Sequence, residues 1–258
     1  MTGDDAAAPP VVLKLGGSLI TEKDSPETLD EPALDAACDA VADALAAGDV
    51  DRLAVVHGGG SFGHHHASER GVSTTEGTRD ADAVAAIHGA MKRLNARVLE
   101  RLRERGVPAV PVHPLSLAAR TGGTGGGLDL PLGSTATLLD EGFVPVLHGD
   151  GVATAGDGVT VVSGDELVVE LAAGLGARRV GVCSTVPGVL DGDGAVIPEV
   201  DDFESVADAL GASDATDVSG GMAAKVRELL ALDAPAYVFG ADGLSPFLRG
   251  EGAGTRID

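Results

Sequence analysis

Residues 55–66, VVHGGGSFGHHH, set four glycines, a serine and a histidine triplet between a short apolar run and a helical pattern. Such a loop offers backbone N–H groups, a hydroxyl and imidazoles, a set that could hold a dinucleotide, a metal ion or a phosphate group. Gly58, Gly60 and Gly63 satisfy G-x-G-x-x-G. That fingerprint also needs a second strand ending in an acidic residue about 20 positions on. The sequence in that place, STTEGTRDADAV, is polar and has no strand character. Metal binding is disfavoured because His64, His65 and His66 are consecutive. Adjacent helical side chains point about 100° apart, so three neighbours do not converge on one ion. The triplet reads as a helix start with one imidazole turned inward and two solvated, and no metal ligand is assigned. Phosphate uses every feature. Glycines let N–H groups approach an anion, the following helix adds its positive end, and an imidazole one turn in donates a further hydrogen bond.

The lysines suggest the rest of the apparatus. Only four occur, Lys14, Lys23, Lys92 and Lys225, and none follows a glycine, so no Walker loop is present. Lys14 lies in an apolar run just before LGGS, Lys23 in the polar loop beyond it, and Lys225 after DVSGGMAA at a helix start. A lysine in a central strand is costly unless its ammonium reaches a site at the strand end. Lys92, in AIHGAMKRLNARV, reads as part of a solvated helix face.

Elements must bring these groups together. Apolar runs of strand length recur as VVLKL (11–15), RLAVVH (52–57), PAVPV (108–112), FVPVLH (143–148), RRVGVCS (178–184) and AYVFG (236–240). Unalternated strands interleaved with helices predict a mostly parallel sheet covered on both faces, an α/β architecture. Asp30, Pro32 and Gly48 punctuate one helix; Asp80 or Asp82 opens a longer one that Gly106 closes. GVATAGDGVTVVSG (151–164) predicts a hairpin with a Gly-Asp-Gly turn, an antiparallel seam between two lobes of a single domain. RTGGTGGG (120–127) and DGDGA (191–195) read as flexible surface loops. Val84, Ile87 and Met91 share a helical face that could roof an apolar slot, although ordinary core is the plainer reading.

Charge and composition narrow the class. Forty acidic residues against 18 basic ones leave a net charge of −22, which argues against nucleic-acid and anionic-membrane partners. An acidic, lysine-poor surface suits molar salt, where screening over roughly 3 Å suppresses self-repulsion. Cys38 and Cys183 each lie in apolar sequence and read as buried free thiols. The N-terminus lacks a basic segment followed by an apolar stretch, and no run approaches the ~18 apolar residues that would cross a bilayer, so a cytoplasmic protein is expected.

Six motifs in order, KLGGSLIT (14–21), HGGGSFGH (57–64), HGD (148–150), SGDE (163–166), VPGV (186–189) and DVSGGMAAK (217–225), resemble the amino acid kinase superfamily. Within it, the histidine closing HGGGSFGH is similar to that of isopentenyl phosphate kinases, archaeal enzymes of the alternative mevalonate route. The resemblance implies a three-layer αβα sandwich, usually a homodimer, with an acceptor lobe over about 11–150 and an ATP lobe over about 151–258. It further implies that Lys14, Lys23 and Lys225 neutralise the transferring phosphoryl group and that Asp165 orients the lysines. His64 and the Gly59 backbone would hold the acceptor phosphate, with Gly164 nearby. Gly16, Gly17, Ser18, Gly60 and Gly220 would line the phosphates of ATP. Relatives commonly carry Asp at the place of Thr185, where the nucleotide is contacted.

The chemistry agrees. A phosphomonoester has a second pKa near 6, roughly, so at neutral pH it is already nucleophilic and the barrier is repulsion between polyanions. Cations and N–H donors lower that barrier, and Mg²⁺ would arrive bound to ATP. Kinases of the same fold acting on fosfomycin, UMP or an acylamino acid are alternatives. So is a non-catalytic small-molecule sensor, although a sensor has no phosphoryl charge for three lysines to neutralise.

Overall fold

Val11–Leu15 is buried along its whole length as β1, the strand around which the rest is arranged. The computed structural model of the chain describes residues 8–211 and 221–258. After β1 come α1 (Gly17–Ile20), α2 (Glu31–Ala47), β2 (Leu53–His57), α3 (Gly60–Glu69), α4 (Ala81–Glu104), β3 (Ala109–Pro111), β4 (Ala119–Arg120) and β5 (Leu128–Asp129). Then follow α5 (Gly133–Asp140), β6 (Val144–His148), β7 (Asp150–Thr154), β8 (Gly158–Val162), α6 (Gly164–Leu175) and β9 (Arg179–Cys183). The chain finishes with β10 (Glu199–Val200), α7 (Ala207–Gly211), α8 (Gly221–Leu230), β11 (Ala236–Phe239), α9 (Leu244–Leu248) and β12 (Thr255–Ile257).

Eight strands form one sheet in the order β10-β12-β11-β9-β1-β2-β6-β3. The six from β11 to β3 in that order are parallel to their neighbours, and only the β11–β12 pairing is antiparallel. Period-2 alternation along β1 sorts the core into two layers. Val11, Leu13 and Leu15 face a cluster shared with α2, α4 and α9. Val12 lies in the opposite cluster with α6 and α8, and Lys14 shares its face. Both faces are therefore covered by helices, giving the expected αβα sandwich. Cys38 and Cys183 are buried free thiols, as expected.

Helix ends follow the sequence signals. The Asp30 carboxylate accepts from Ala33 N at 3.0 Å with Pro32 beside it, and Gly48 closes α2 at φ 76°. Asp80, rather than Asp82, caps α4, accepting from Asp82 N at 2.9 Å. The predicted hairpin is β7–β8, which with β4 and β5 forms a second sheet in the order β5-β4-β7-β8.

The two glycine-rich stretches are more ordered than their composition suggests. In 120–127, Arg120 is a buried strand residue whose guanidinium forks onto Glu166, Nη1 to Oε1 at 2.6 Å and Nη2 to Oε2 at 2.9 Å. It also donates to Gly126 O at 3.2 Å, and Gly123–Gly125 winds into a 3-10 turn. A buried cation needs acceptors around it, and the glycines supply a carbonyl at close range. In 191–195, the Asp191 carboxylate accepts from Asp193 N and Ala195 N, both at 2.9 Å, closing a side-chain-capped turn.

Among the described residues no helix is long and apolar enough to cross a membrane. One close packing is directly testable. A Cβ on Gly181 would lie 2.5 Å from Phe247 Cε1. That ring is fully buried and held by Phe239 (5.1 Å), Tyr237 (5.7 Å) and the Arg179 guanidinium (5.2 Å). Gly181→Ala is expected to destabilise the protein by about 1–3 kcal/mol through overpacking, read as a lower denaturant midpoint at unchanged slope. An unchanged midpoint would show that the ring has room to move.

Candidate functional site

Strand register brings the motif loops to one edge. Leu15 lies opposite His57 and Cys183, His57 opposite His148, and Cys183 opposite Phe239. Gly16, Gly58, Gly149, Ser184 and Gly240 therefore leave the sheet together at the carboxyl ends of parallel strands. β1 is the switch point, with β2 and β6 to one side and β9 and β11 to the other, and a crevice opens at such a point.

The first two glycine loops interlock. A Cβ on Gly17 would fall on Gly60 N, and one on Gly58 would lie 2.6 Å from Gly17 N. Gly60 has φ 47°, and a side chain there would fall on Thr21 Oγ1. Thr21 joins the loops, donating to Gly17 O at 2.8 Å and accepting from Ser61 N at 3.0 Å. Sequence reading missed Thr21; its one signal is a hydroxyl at the last position of KLGGSLIT, where an apolar run ends.

Behind these loops two ammonium groups share one carboxylate. Lys14 Nζ lies 2.8 Å from Asp165 Oδ2, and Lys225 Nζ lies 3.7 Å from Asp165 Oδ1. Asp165 stands in the first turn of α6, which Ser163 caps by accepting from Glu166 N at 3.1 Å. Burial works to raise the Asp165 pKa, but Lys14 and then Lys225 outweigh it and hold the carboxyl below its ordinary value. Gly164 gives the lysine stem room, since a Cβ there would lie 3.2 Å from Lys14 Cε. Glu228 on α8, unassigned from sequence, is pushed up by burial and by the charges of Asp165 and Glu166.

The remaining expected residues are less tightly gathered. Lys23 is exposed on the turn between α1 and α2 and forms no ion pair among the described residues. Gly59 precedes α3, whose first N–H groups have no intrahelical acceptor. Gly16 is half-buried, while Ser18 and Thr185 are exposed. Thr185 lines an open cleft with Pro187, Phe239, Gly240 and Asp242. Gly220 lies outside the described residues.

No ring of the histidine triplet reaches the apolar core, although His66 is half-buried against Glu27. Phe62, Gly63 and Ala67 take the buried face of α3, and Met91 of α4 packs so closely that a Cβ on Gly63 would lie 2.7 Å from its Sδ. His64 is exposed, His65 lies 3.4 Å from Glu69, and His66 pairs with Glu27 at 2.6 Å. Met91 is thus core rather than the roof of a slot. Ile87 belongs to a small separate apolar cluster with Ala67, Val72 and Val161.

On the sheet face opposite Lys14 lies a histidine cluster that sequence reading did not assemble, because its members come from four distant segments. His57 contacts Asn95 Oδ1 at 3.2 Å and stacks on His148 at 5.5 Å. His148 Nε2 and His113 Nδ1 are 2.8 Å apart, and His88 Nδ1 meets Asp150 Oδ2 at 2.8 Å. Burial lowers the His57 pKa to about 4 and lowers those of His148 and His113 as well. The two buried rings each support a loop, His57 Nδ1 meeting Gly58 O at 3.1 Å and His148 Nδ1 meeting Gly149 O at 2.9 Å, and Gly149 N donates to His57 O at 3.0 Å between them.

A pH dependence follows. The unfolded chain protonates His57 below about pH 6.5, whereas the folded chain resists until about pH 4. Its contribution, about 3 kcal/mol, is present above pH 6.5 and lost as pH falls through that window. His57→Gln should flatten the decline of the unfolding midpoint between pH 7 and 4.5; parallel curves would exclude His57 as its source.

The family model for the amino acid kinase family matches residues 9–232. A Haloferax volcanii isopentenyl phosphate kinase is 66% identical over 247 residues, 96% of this chain and 98% of that protein. One from Methanothermobacter thermautotrophicus is 35% identical and covers 86% of each chain. Among solved structures, X-ray structures of isopentenyl phosphate kinase superpose with a TM-score of 0.79 at 28% identity, covering 96% of this chain and 99% of that one. With a family model matched over residues 9–232 and a relative this similar over nearly its full length, the chain belongs to the amino acid kinase family.

Proposed function

We propose that this chain transfers the γ-phosphoryl group of ATP to isopentenyl phosphate, forming isopentenyl diphosphate. The observation that carries the reading is the pairing of Lys14 and Lys225 on Asp165 beside two interlocked glycine loops. That arrangement concentrates positive charge and N–H donors in a chain of net charge −22, at the point where two phosphorylated ligands would meet.

In this mechanism the acceptor phosphate is its own nucleophile, and no residue need remove a proton. His64 and the Gly59 N–H hold its oxygens, with Gly164 at the rear. Gly16, Gly17, Ser18, Gly60 and Gly220 line the phosphates of ATP, and Thr185 contacts the nucleotide. Lys14, Lys225 and Lys23 stabilise charge on the phosphoryl group in flight, while Asp165 fixes the first two. Mg²⁺ would neutralise the nucleotide's phosphates. Asp165 is engaged by lysines and Glu166 by Arg120, a donor set suited to a metal delivered on ATP rather than caged by protein.

Residues 11–150 would form the acceptor lobe and 151–258 the nucleotide lobe, in keeping with β2, β6 and β3 on one side of β1 and β9 to β12 on the other. The open edge of β3 and the exposed Phe143 suit a homodimer interface. A cytoplasm rich in salt fits the acidic surface and the Haloferax relative.

A coupled ADP-release assay with isopentenyl phosphate, fosfomycin, UMP and N-acetylglutamate tests the reading. Turnover is expected with the first alone, and its absence there would overturn the assignment. His64→Ala should raise the acceptor KM tenfold or more with the ATP KM little changed, whereas Lys225→Ala should lower kcat with any acceptor. Equal losses for both ligands in His64→Ala would contradict that division. The unfolding midpoint should rise from dilute buffer to molar KCl, and indifference to salt would remove the saline reading.

A further inference from the structure

Glu27 is the only described residue other than glycine with a positive φ, at 50°. The left-handed region is disfavoured for a residue with a Cβ and persists where surrounding contacts over-determine it. Here they do. Arg93 of α4 forks onto the Glu27 carboxylate, Nε to Oε2 at 2.9 Å and Nη2 to Oε1 at 2.6 Å. His66 of α3 meets Oε1 at 2.6 Å. The Glu27 N–H donates to Ser61 O at 3.3 Å, and Thr28 exchanges hydrogen bonds with Ser61 Oγ at 3.2 and 3.3 Å. The Arg93 hydrogen bonds hold the Glu27 pKa down at about 2, with His66 adding to them against the opposing effect of burial.

These contacts fasten one turn, 22–28, to α3, which follows the Gly58–Gly60 loop, and to α4, whose Met91 packs against Gly59 and Gly63. The turn closes on itself through Glu22 N to Thr28 O at 3.0 Å and Ser25 N to Glu22 O at 3.3 Å. It carries Lys23, four residues before Glu27, and Lys23 forms no ion pair among the described residues. A loose Glu27 carboxylate would be a ready partner for that ammonium. Arg93 and His66 occupy it instead, so the same clamp fixes the turn and keeps the Glu27 carboxylate engaged away from the lysine, while Glu22 and Asp24, beside Lys23 in sequence, form no ion pair among the described residues.

We propose that Glu27 is a positioning residue for phosphoryl transfer: clamped by Arg93 and His66, it holds the Lys23 turn so that the Lys23 ammonium is presented, unpaired, to the transferring group. The inference rests on the role given to Lys23 above. Steady-state kinetics with ATP and isopentenyl phosphate test both. Lys23→Ala should lower kcat at least tenfold with the ATP KM little changed. Glu27→Ala and Glu27→Gly should each lower kcat severalfold in the same pattern. The glycine variant accepts the left-handed backbone, so a loss there is assigned to the carboxylate. Arg93→Lys, which keeps the charge but loses the fork, should fall between wild type and Glu27→Ala. In a Lys23→Ala background, Glu27→Ala should change kcat by less than twofold, because the residue through which it acts is gone. Full additivity there would overturn the proposal, as would wild-type kcat in both Glu27 variants while Lys23→Ala is impaired. Wild-type kcat in Lys23→Ala would instead overturn the role of Lys23, and with it the purpose assigned to the clamp.

Discussion

Lys14 and Lys225 repel one another, and the buried edge of a sheet is a poor place for either. The carboxylate of Asp165 resolves both problems, giving each ammonium an anionic partner while leaving the pair net positive. That balance fixes much of the surrounding structure. Lys14 must sit on the face of β1 that looks toward α6, Gly164 must lack a side chain so that the stem can pass, and α6 must begin where Asp165 reaches both cations. Arg120 then takes Glu166 away, so that a second carboxylate does not cancel the positive field.

The glycine loops answer a different constraint, the approach of backbone to backbone. Gly17 and Gly60 come so near that neither tolerates a Cβ, and Thr21 fastens them with a single hydroxyl. Beneath them the neutral rings of His57 and His148 support the two adjacent loops. The cationic and neutral supports lie on opposite faces of one sheet, so the same strands that separate two apolar cores also keep a charged cluster from an uncharged one.

Much of this was legible in the residues. Apolar runs fixed the strands because a parallel strand covered on both faces has no polar side to show, and Asp30, Gly48 and Gly106 marked helix ends through chemistry local to each. Lys14 stood out because lysine is scarce here and costly in a strand. What stayed hidden depends on distances across the fold. His57, Asn95, His113 and His148 come from four segments, and nothing in their spacing foretells that they meet. Which residues take the buried face of α3 was equally hidden, because Met91, 28 residues beyond Gly63, packs against that glycine. Arg120 likewise turned a stretch read as slack into a buried anchor.

The placement of β1 has a consequence for how the molecule is made. It precedes every other described strand in the chain, yet it ends in the middle of the sheet, with β2 on one flank and β9 on the other. Its second flank stays uncovered until Arg179–Cys183 has left the ribosome. A nascent chain halted before that point exposes an apolar strand edge with no partner, the kind of surface on which incomplete chains associate. Rapid completion, or a chaperone that shields that edge, is therefore part of what this topology demands of its host.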